Sequence, residues 1–200
     1  MRKAISSIEL FIKKNKLTPI VDVIYFAILL FGFHYLWKFW QNEFDFRLFT
    51  SQSILIPVYD FLNQITFIST DFFLALIMKG HYHIENLTWH FANGSYIIIV
   101  DGCSGLKAYM QLIVIILFFP GPIKHKSWFI PIGLIILFIT NIIRLIGLDL
   151  IVYYYDSYFA FAHDYAQKAF FYGVIFLLWV VWVEKFRSKT STAHNKLKIQ

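Results

Sequence analysis

The chain has little of what a water-soluble protein needs. Asp, Glu, Lys and Arg make up only 15% of its 200 residues, where a soluble domain carries about 25%. That shortage excludes a water-exposed globule. A single cysteine excludes an intramolecular disulfide and leaves one thiol, either inert packing or a nucleophile. Acidic residues are fewer than basic ones, 12 against 18, for a net charge of +6. The basic residues flank apolar runs and form no basic face, so nucleic acid is not an expected partner. The first apolar run lacks a small-residue cleavage pattern, so no cleavable signal peptide is expected. No internal repeat is evident.

What remains is apolar. Hydrophobic residues are 58% of the chain and aromatic residues 20%, which suits packing within lipid and anchoring at its surface. The expected fold class is an all-α polytopic membrane bundle with four or five transmembrane helices and a small extracytoplasmic β-hairpin. Residues 1–19 read as a basic, amphipathic start on the cytoplasmic face. Residues 20–186 form the membrane domain. Residues 187–200 read as a disordered basic cytoplasmic tail. Spans are expected at 20–37, 106–119, 128–146 and 169–183, the first long enough to cross the roughly 30 Å of hydrocarbon. Pro120-Gly121-Pro122 ends the second of these. The hairpin pairs Trp89 to Ala92 with Tyr96 to Val100 around the turn signal Asn93-Gly94.

Charge sets the expected topology. Of the 18 Lys and Arg residues, 12 lie before the first span, at Lys124 and Lys126, or after the last span. The positive-inside rule puts all three groups in the cytoplasm. The four spans satisfy this. A full crossing by 54–78, which carries Asp60, Asn63, Gln64 and Asp71, breaks it. That segment is therefore expected to be re-entrant or to lie along the outer surface. The alternative is a fifth span with the N-terminus outside. The resulting localisation is a multi-pass protein of the bacterial inner membrane.

With that topology, Cys103, Arg144 and His163 share one membrane face. Cys103 lies 16 residues before Phe119, and Arg144 lies 17 residues after Ser127. At 1.5 Å per residue both are roughly 25 Å from a shared inner turn. His163 precedes the last span from the same side. A thiolate at a helix start is favoured by unpaired N–H groups. A histidine can move the thiol proton and the leaving-group proton. An arginine presents a fixed fork of donors for an oxyanion or a carboxylate. Asn141, one turn before Arg144, is placed to share that task. Each has a plainer reading. Cys103, Ser104 and Gly105 can be small-residue helix packing, Arg144 can snorkel and pair with Asp149, and His163 can be an interfacial histidine. Asp101 beside Cys103 also opposes a low thiol pKa.

Asp101-Gly102-Cys103-Ser104-Gly105-Leu106, followed by Asn141-Ile142-Ile143-Arg144 and then His163-Asp164, resembles the exosortase/archaeosortase family over roughly residues 80–186. The resemblance implies a membrane-embedded cysteine transpeptidase or protease. In it Cys103 is the nucleophile, His163 the acid/base and Arg144 the electrostatic partner, with Asn141, Ser104 and Gly105 supporting. It implies a membrane-anchored substrate with a C-terminal sorting signal: a short motif, a transmembrane helix and a basic end. The chain has fewer spans than the larger members, and residues 1–79 carry no motif of the resemblance. No cofactor and no metal is expected. His81 and His83 lie on one strand face with His90 and Glu85 near, a weak zinc pattern. The rival functions are a non-catalytic membrane scaffold or export subunit, and a thiol-dependent acyltransferase.

Overall fold

The computed structural model describes residues 18–43 and 52–187. The basic start and the polar tail expected from the sequence lie outside the described residues. Helix α1 (Thr18–Glu43) belongs to the first of two compact units. It is apolar around much of its circumference, with Ile20, Ile24, Ile28, Phe31 and Tyr35 exposed. That pattern suits a helix with lipid around it, and its length suffices to cross a bilayer.

The second unit holds the remaining elements. Helix α2 (Gln52–Ile77) leads into a sheet of β1 (Tyr82–Glu85), β2 (Thr88–Phe91) and β3 (Tyr96–Ile98). A 3-10 turn at Asp101–Cys103 then starts α3 (Leu106–Phe118), which is followed by α4 (Ile123–Tyr155). A helical turn at Phe159–Phe161 and a wide π turn at Ala162–Ala166 lead into α5 (Gln167–Trp182). This is the expected helical membrane bundle with a small β element. The expected hairpin is present as β2 and β3, with His90 opposite Tyr96 and Thr88 opposite Ile98. The structure adds β1, antiparallel to β2 with Glu85 opposite Thr88. Its two-residue turn uses Asn86 at φ 53, a left-handed position that Asn tolerates.

Alternation along these strands decides where the core sits. Trp89, Phe91, Ile97 and Ile99 face inward and are buried with Phe67 and Leu74 of α2, Met78 just after it, and Leu145, Leu148 and Val152 of α4. Trp89 stacks on Phe67 at 4.3 Å between ring centroids. Its indole N–H donates to Asp71 at 3.1 Å, and the Tyr82 hydroxyl donates to the same oxygen at 2.8 Å. Asp71 thus has partners where the core closes over it. Burial, and then the bond to Asp71, push the Tyr82 hydroxyl above its ordinary pKa, so it remains a donor. Asn63, two turns before Asp71, donates to Asp101 at 3.1 Å.

Two expected boundaries change. The segment expected to be re-entrant or surface-lying is one 26-residue helix, long and apolar enough to cross a membrane. Its packing shows how it is used. From Asn63 onward it runs beside the Cys103 turn and the sheet, leaving 52–62, roughly 16 Å of helix, before that level. The expected span 128–146 is a 33-residue helix, Ile123–Tyr155, which at about 50 Å exceeds the hydrocarbon. It starts early because Pro122 supplies an extended residue just before the first turn. It ends late because residues 145–152 have the sheet to pack on. At the opposite end, Lys126 donates to the carbonyls of Leu117 and Phe119 at 2.7 and 2.8 Å. It thereby satisfies carbonyls that the end of α3 leaves open. Gly133 lets α3 approach closely, since a Cβ there would meet Leu112 Cδ2 at 2.7 Å.

The sheet and Lys126 therefore lie at opposite ends of α4. In a Cys103→Ala background, cysteines introduced at Glu85 and Ser157 should react with a membrane-impermeant maleimide applied to cells with a permeabilised outer membrane. Cysteines at Lys124 and Lys185 should react only after lysis. Labelling at Lys124 in intact cells would reverse the orientation.

Candidate active site

Cys103 closes the 3-10 turn, half-buried, with its N–H donating to the Val100 carbonyl at 2.7 Å. The next three residues explain why the chain turns here. The Ser104 hydroxyl donates to the Asp101 carbonyl at 2.7 Å and accepts from the Leu106 N–H at 3.2 Å. It caps an otherwise open donor of α3. Gly105 has φ 78, a left-handed conformation that costs a side-chain-bearing residue about 1–2 kcal/mol. A Cβ there would also lie 2.8 Å from the Tyr109 hydroxyl. Leu106 is then buried in the bundle. Small residues stand here because the turn is tight and Tyr109 lies against it.

Asn141 and Arg144 reach this turn from α4. Asn141, fully buried, donates from Nδ2 to the Cys103 carbonyl at 2.8 Å. Arg144 follows one helical turn later, and its guanidinium lies over the Phe171 ring at 5.6 Å. Asp149, the alternative partner for Arg144, is buried, and among the described residues neither carboxylate oxygen has a hydrogen bond. The snorkelling pair is thus not formed. Arg144 Nε, Asn141 Oδ1 and the Tyr109 hydroxyl are buried and, among the described residues, have no hydrogen-bond partner. Unpaired buried polar groups are rare, and these three belong to side chains gathered around the Cys103 turn.

His163 stands apart from this cluster. It lies on the π turn with its side chain half exposed, stacked on Phe159 at 5.6 Å between centroids, and Nδ1 is 3.3 Å from Asp164. Bonds from His163 and Lys168 hold the Asp164 carboxyl below its ordinary pKa, which keeps it an acceptor for the imidazole. Among the described residues no hydrogen bond or ion pair joins His163 to Cys103 or Arg144. The link is indirect. Gln167, one turn beyond His163, donates to the Arg144 carbonyl at 3.3 Å. Phe159 and Cys103 pack against the same core cluster, which includes Ala162.

Three residues that bear on the site escape a reading of motifs. Tyr109 looks like an ordinary apolar-face aromatic until the turn of Gly105 closes on it. Gln167 had a signal, a polar residue four positions after His163 at the start of an apolar span. Asn63 had only its polarity within an apolar run. The histidines near the sheet divide. His81 meets the Tyr153 hydroxyl at 3.4 Å, whereas His83 stacks on His90 at 5.0 Å between centroids. Among the described residues no group of three or more His, Cys, Asp or Glu side chains is placed to hold a metal ion.

Residues 10–180 match the family described as transmembrane exosortase. The chain belongs to the transmembrane exosortase family. The match takes in α1 and α2 as well as the segment from residue 80 that carries the motifs, so the N-terminal part is also exosortase sequence. No curated protein and no solved structure matches the chain. Membership supports a membrane-embedded protein concerned with sorting.

Gly105→Ala tests the turn. The strained φ and the Tyr109 contact act together, so the variant should lose at least ~1–2 kcal/mol of stability, read as a lower melting temperature in detergent. Pairing it with Tyr109→Leu should recover part of the loss, because the φ penalty remains and the steric one goes. No loss in Gly105→Ala would remove the left-handed requirement.

Proposed function

We propose that this exosortase is a membrane-embedded cysteine transpeptidase or protease. In this reading it processes the C-terminal sorting signals of exported proteins at the outer face of the inner membrane. The observation that carries it is the Cys103 turn, whose carbonyl Asn141 holds, with Arg144 one helical turn beyond Asn141 on α4. A thiol, a buried guanidinium donor without a partner and a tight backbone turn are the components of nucleophilic acyl transfer.

The steps follow from these groups. His163 takes the proton of Cys103, and Sγ attacks a backbone carbonyl of the substrate, forming the S–C bond. The electron pair moves to the carbonyl oxygen, where Arg144 stabilises the negative charge. The C–N bond then breaks as the carbonyl re-forms, and His163 protonates the leaving amine. The product is a thioester on Cys103. An amine or water attacks it, and Sγ departs as the thiolate. No hydrogen bond among the described residues joins His163 to the thiol, so proton transfer runs through a bridging water or through the closer approach that substrate binding brings. A substrate anchored by its own transmembrane helix arrives already oriented, which supplies much of what a deep soluble pocket otherwise provides.

Two variants separate the roles. Arg144→Lys keeps the charge and loses the planar fork. It should insert and accumulate normally, yet process a co-expressed reporter bearing a motif, a helix and a basic end roughly a hundred- to thousandfold more slowly, the scale of one lost oxyanion donor. Full activity would show that only charge is needed there.

Cys103→Ala should abolish processing and His163→Ala should slow it sharply. The double variant should be no worse than Cys103→Ala, since residues acting as a unit fail together. Mass spectrometry of a reporter fragment trapped on Cys103 would establish the thioester. Normal processing by Cys103→Ala would leave a membrane scaffold as the better reading, and trapped acyl chains in place of peptide would indicate an acyltransferase.

A further inference from the structure

The free edge of the sheet leads to the thiol. The Phe91 N–H bonds to the Ser95 carbonyl, and the Ile99 N–H to the Leu87 carbonyl, both at 2.9 Å. Antiparallel pairing alternates, so the N–H and C=O groups of Ile97, between them, also point at β2. The groups of Tyr96 and Ile98, and the Val100 N–H, therefore point the other way. β3 is an outer strand of the sheet, with β1 at the opposite edge. Among the described residues the outward groups of Tyr96 and Ile98 have no backbone partner. The side chains of Tyr96, Ile98 and Val100 are 63%, 53% and 52% exposed.

Three features bind this edge to the site. Val100 is the last extended residue, and its carbonyl accepts from the Cys103 N–H. Asn63 holds Asp101, and Asn141 holds the Cys103 carbonyl, so the path from edge to thiol is rigid. Between them, a Cβ built on Gly102 meets no heavy atom within 4 Å, which leaves open space beside Cys103. An unpaired edge is ordinarily a liability that proteins cover or charge. Here its exposed side chains are Tyr, Ile and Val, the residues that suit a strand neighbour.

We propose that the extended segment of the substrate just before its transmembrane helix adds to the sheet as a fourth strand, pairing with the free edge of β3. The proposal rests on the reading of Cys103 as nucleophile and deepens it by naming how the peptide is held. The occupant is a peptide backbone, because what the edge offers is alternating donors and acceptors at strand spacing. Its direction is parallel to β3. β3 runs toward Cys103, and the substrate must run from outside toward its own membrane helix, which continues beyond the scissile bond. Main-chain pairing gives affinity with little sequence demand. Preference then comes from side chains beside Tyr96, Ile98 and Val100. The carbonyl following the last paired residue arrives over Gly102, next to Sγ.

The test uses the full chain in detergent micelles and the single thiol. A synthetic Thr-Val-Thr-Val-Ala peptide, carrying a pyridyl disulfide at its C-terminal end, is coupled to Cys103 by thiol–disulfide exchange, releasing pyridinethione. Amide hydrogen exchange is then read residue by residue. The Ile98 and Val100 amides should slow at least tenfold. The Ile97 and Ile99 amides, already bonded to β2, should not change. The same peptide attached by its N-terminal end would have to run antiparallel and should not protect the edge. A version N-methylated at alternate residues should couple and protect nothing. Coupling without selective slowing at Ile98 and Val100 would overturn strand addition while leaving the cysteine enzyme intact. Protection only by the N-terminally attached peptide would overturn the parallel direction. Failure to couple would overturn the proposal and the accessible nucleophile together.

Discussion

One hydrogen bond ties the structure together: Asn141 Nδ2 to the Cys103 carbonyl, 2.8 Å long between residues 38 apart in sequence. A buried amide requires partners, and the carbonyl of a residue at a helix start is open to accept one. The bond therefore sets the height of α4 against the turn that begins α3. Once that height is set, Arg144 is fixed one turn beyond the residue that holds the Cys103 carbonyl. Gln167 then reads the same level from α5 through the Arg144 carbonyl. Without the bond the three helices would still pack, but their register would rest on apolar side chains, which tolerate sliding better than a directional contact does.

The sheet contributes a second kind of rigidity. It is too small to be stable alone, as three short strands without a partner are marginal in water. Its inner face closes over α2 and the C-terminal end of α4 through Trp89, Phe67 and Leu148, while Asp71 satisfies the two polar aromatics at that junction. Burial of Trp89 and Phe67 contributes on the order of 2–3 kcal/mol each. The cluster also explains why α4 extends well past the hydrocarbon thickness: its last turns are covered by protein. Cys103 packs at the margin of this same cluster, so the stability of the sheet and the position of the thiol are coupled.

The placement of His163 has a different character. It sits on a π turn, half exposed, and is held by neighbours in its own segment. π turns inside helices often occur at functional sites because they widen the backbone and re-aim a side chain. Cys103, Asn141 and Arg144 are held by contacts between helices, whereas the histidine is held locally. In the proposed mechanism the histidine serves first the thiol and then the leaving amine, a task that suits a side chain held only locally.

Much of this was readable without coordinates. A low charge fraction and long apolar runs require lipid as solvent, and loop length with 1.5 Å per residue puts Cys103 and Arg144 at equal depth. Alternation around Asn93-Gly94 marks β2 and β3, since period and turn chemistry are local. The order Cys-Ser-Gly-Leu, Asn-x-x-Arg and His indicates the family. Tertiary structure decided what depends on distant partners. β1 pairs only because β2 presents an edge to it. α2 takes its place through Phe67, Asp71 and Asn63, each meeting a residue far along the chain. The absence of an Arg144–Asp149 pair, and the gathering of Tyr109 and Asn141 at the turn, follow from which helix faces meet. Periodicity gives the faces of each helix. Only packing, which sums many weak contacts across the chain, selects which face meets which.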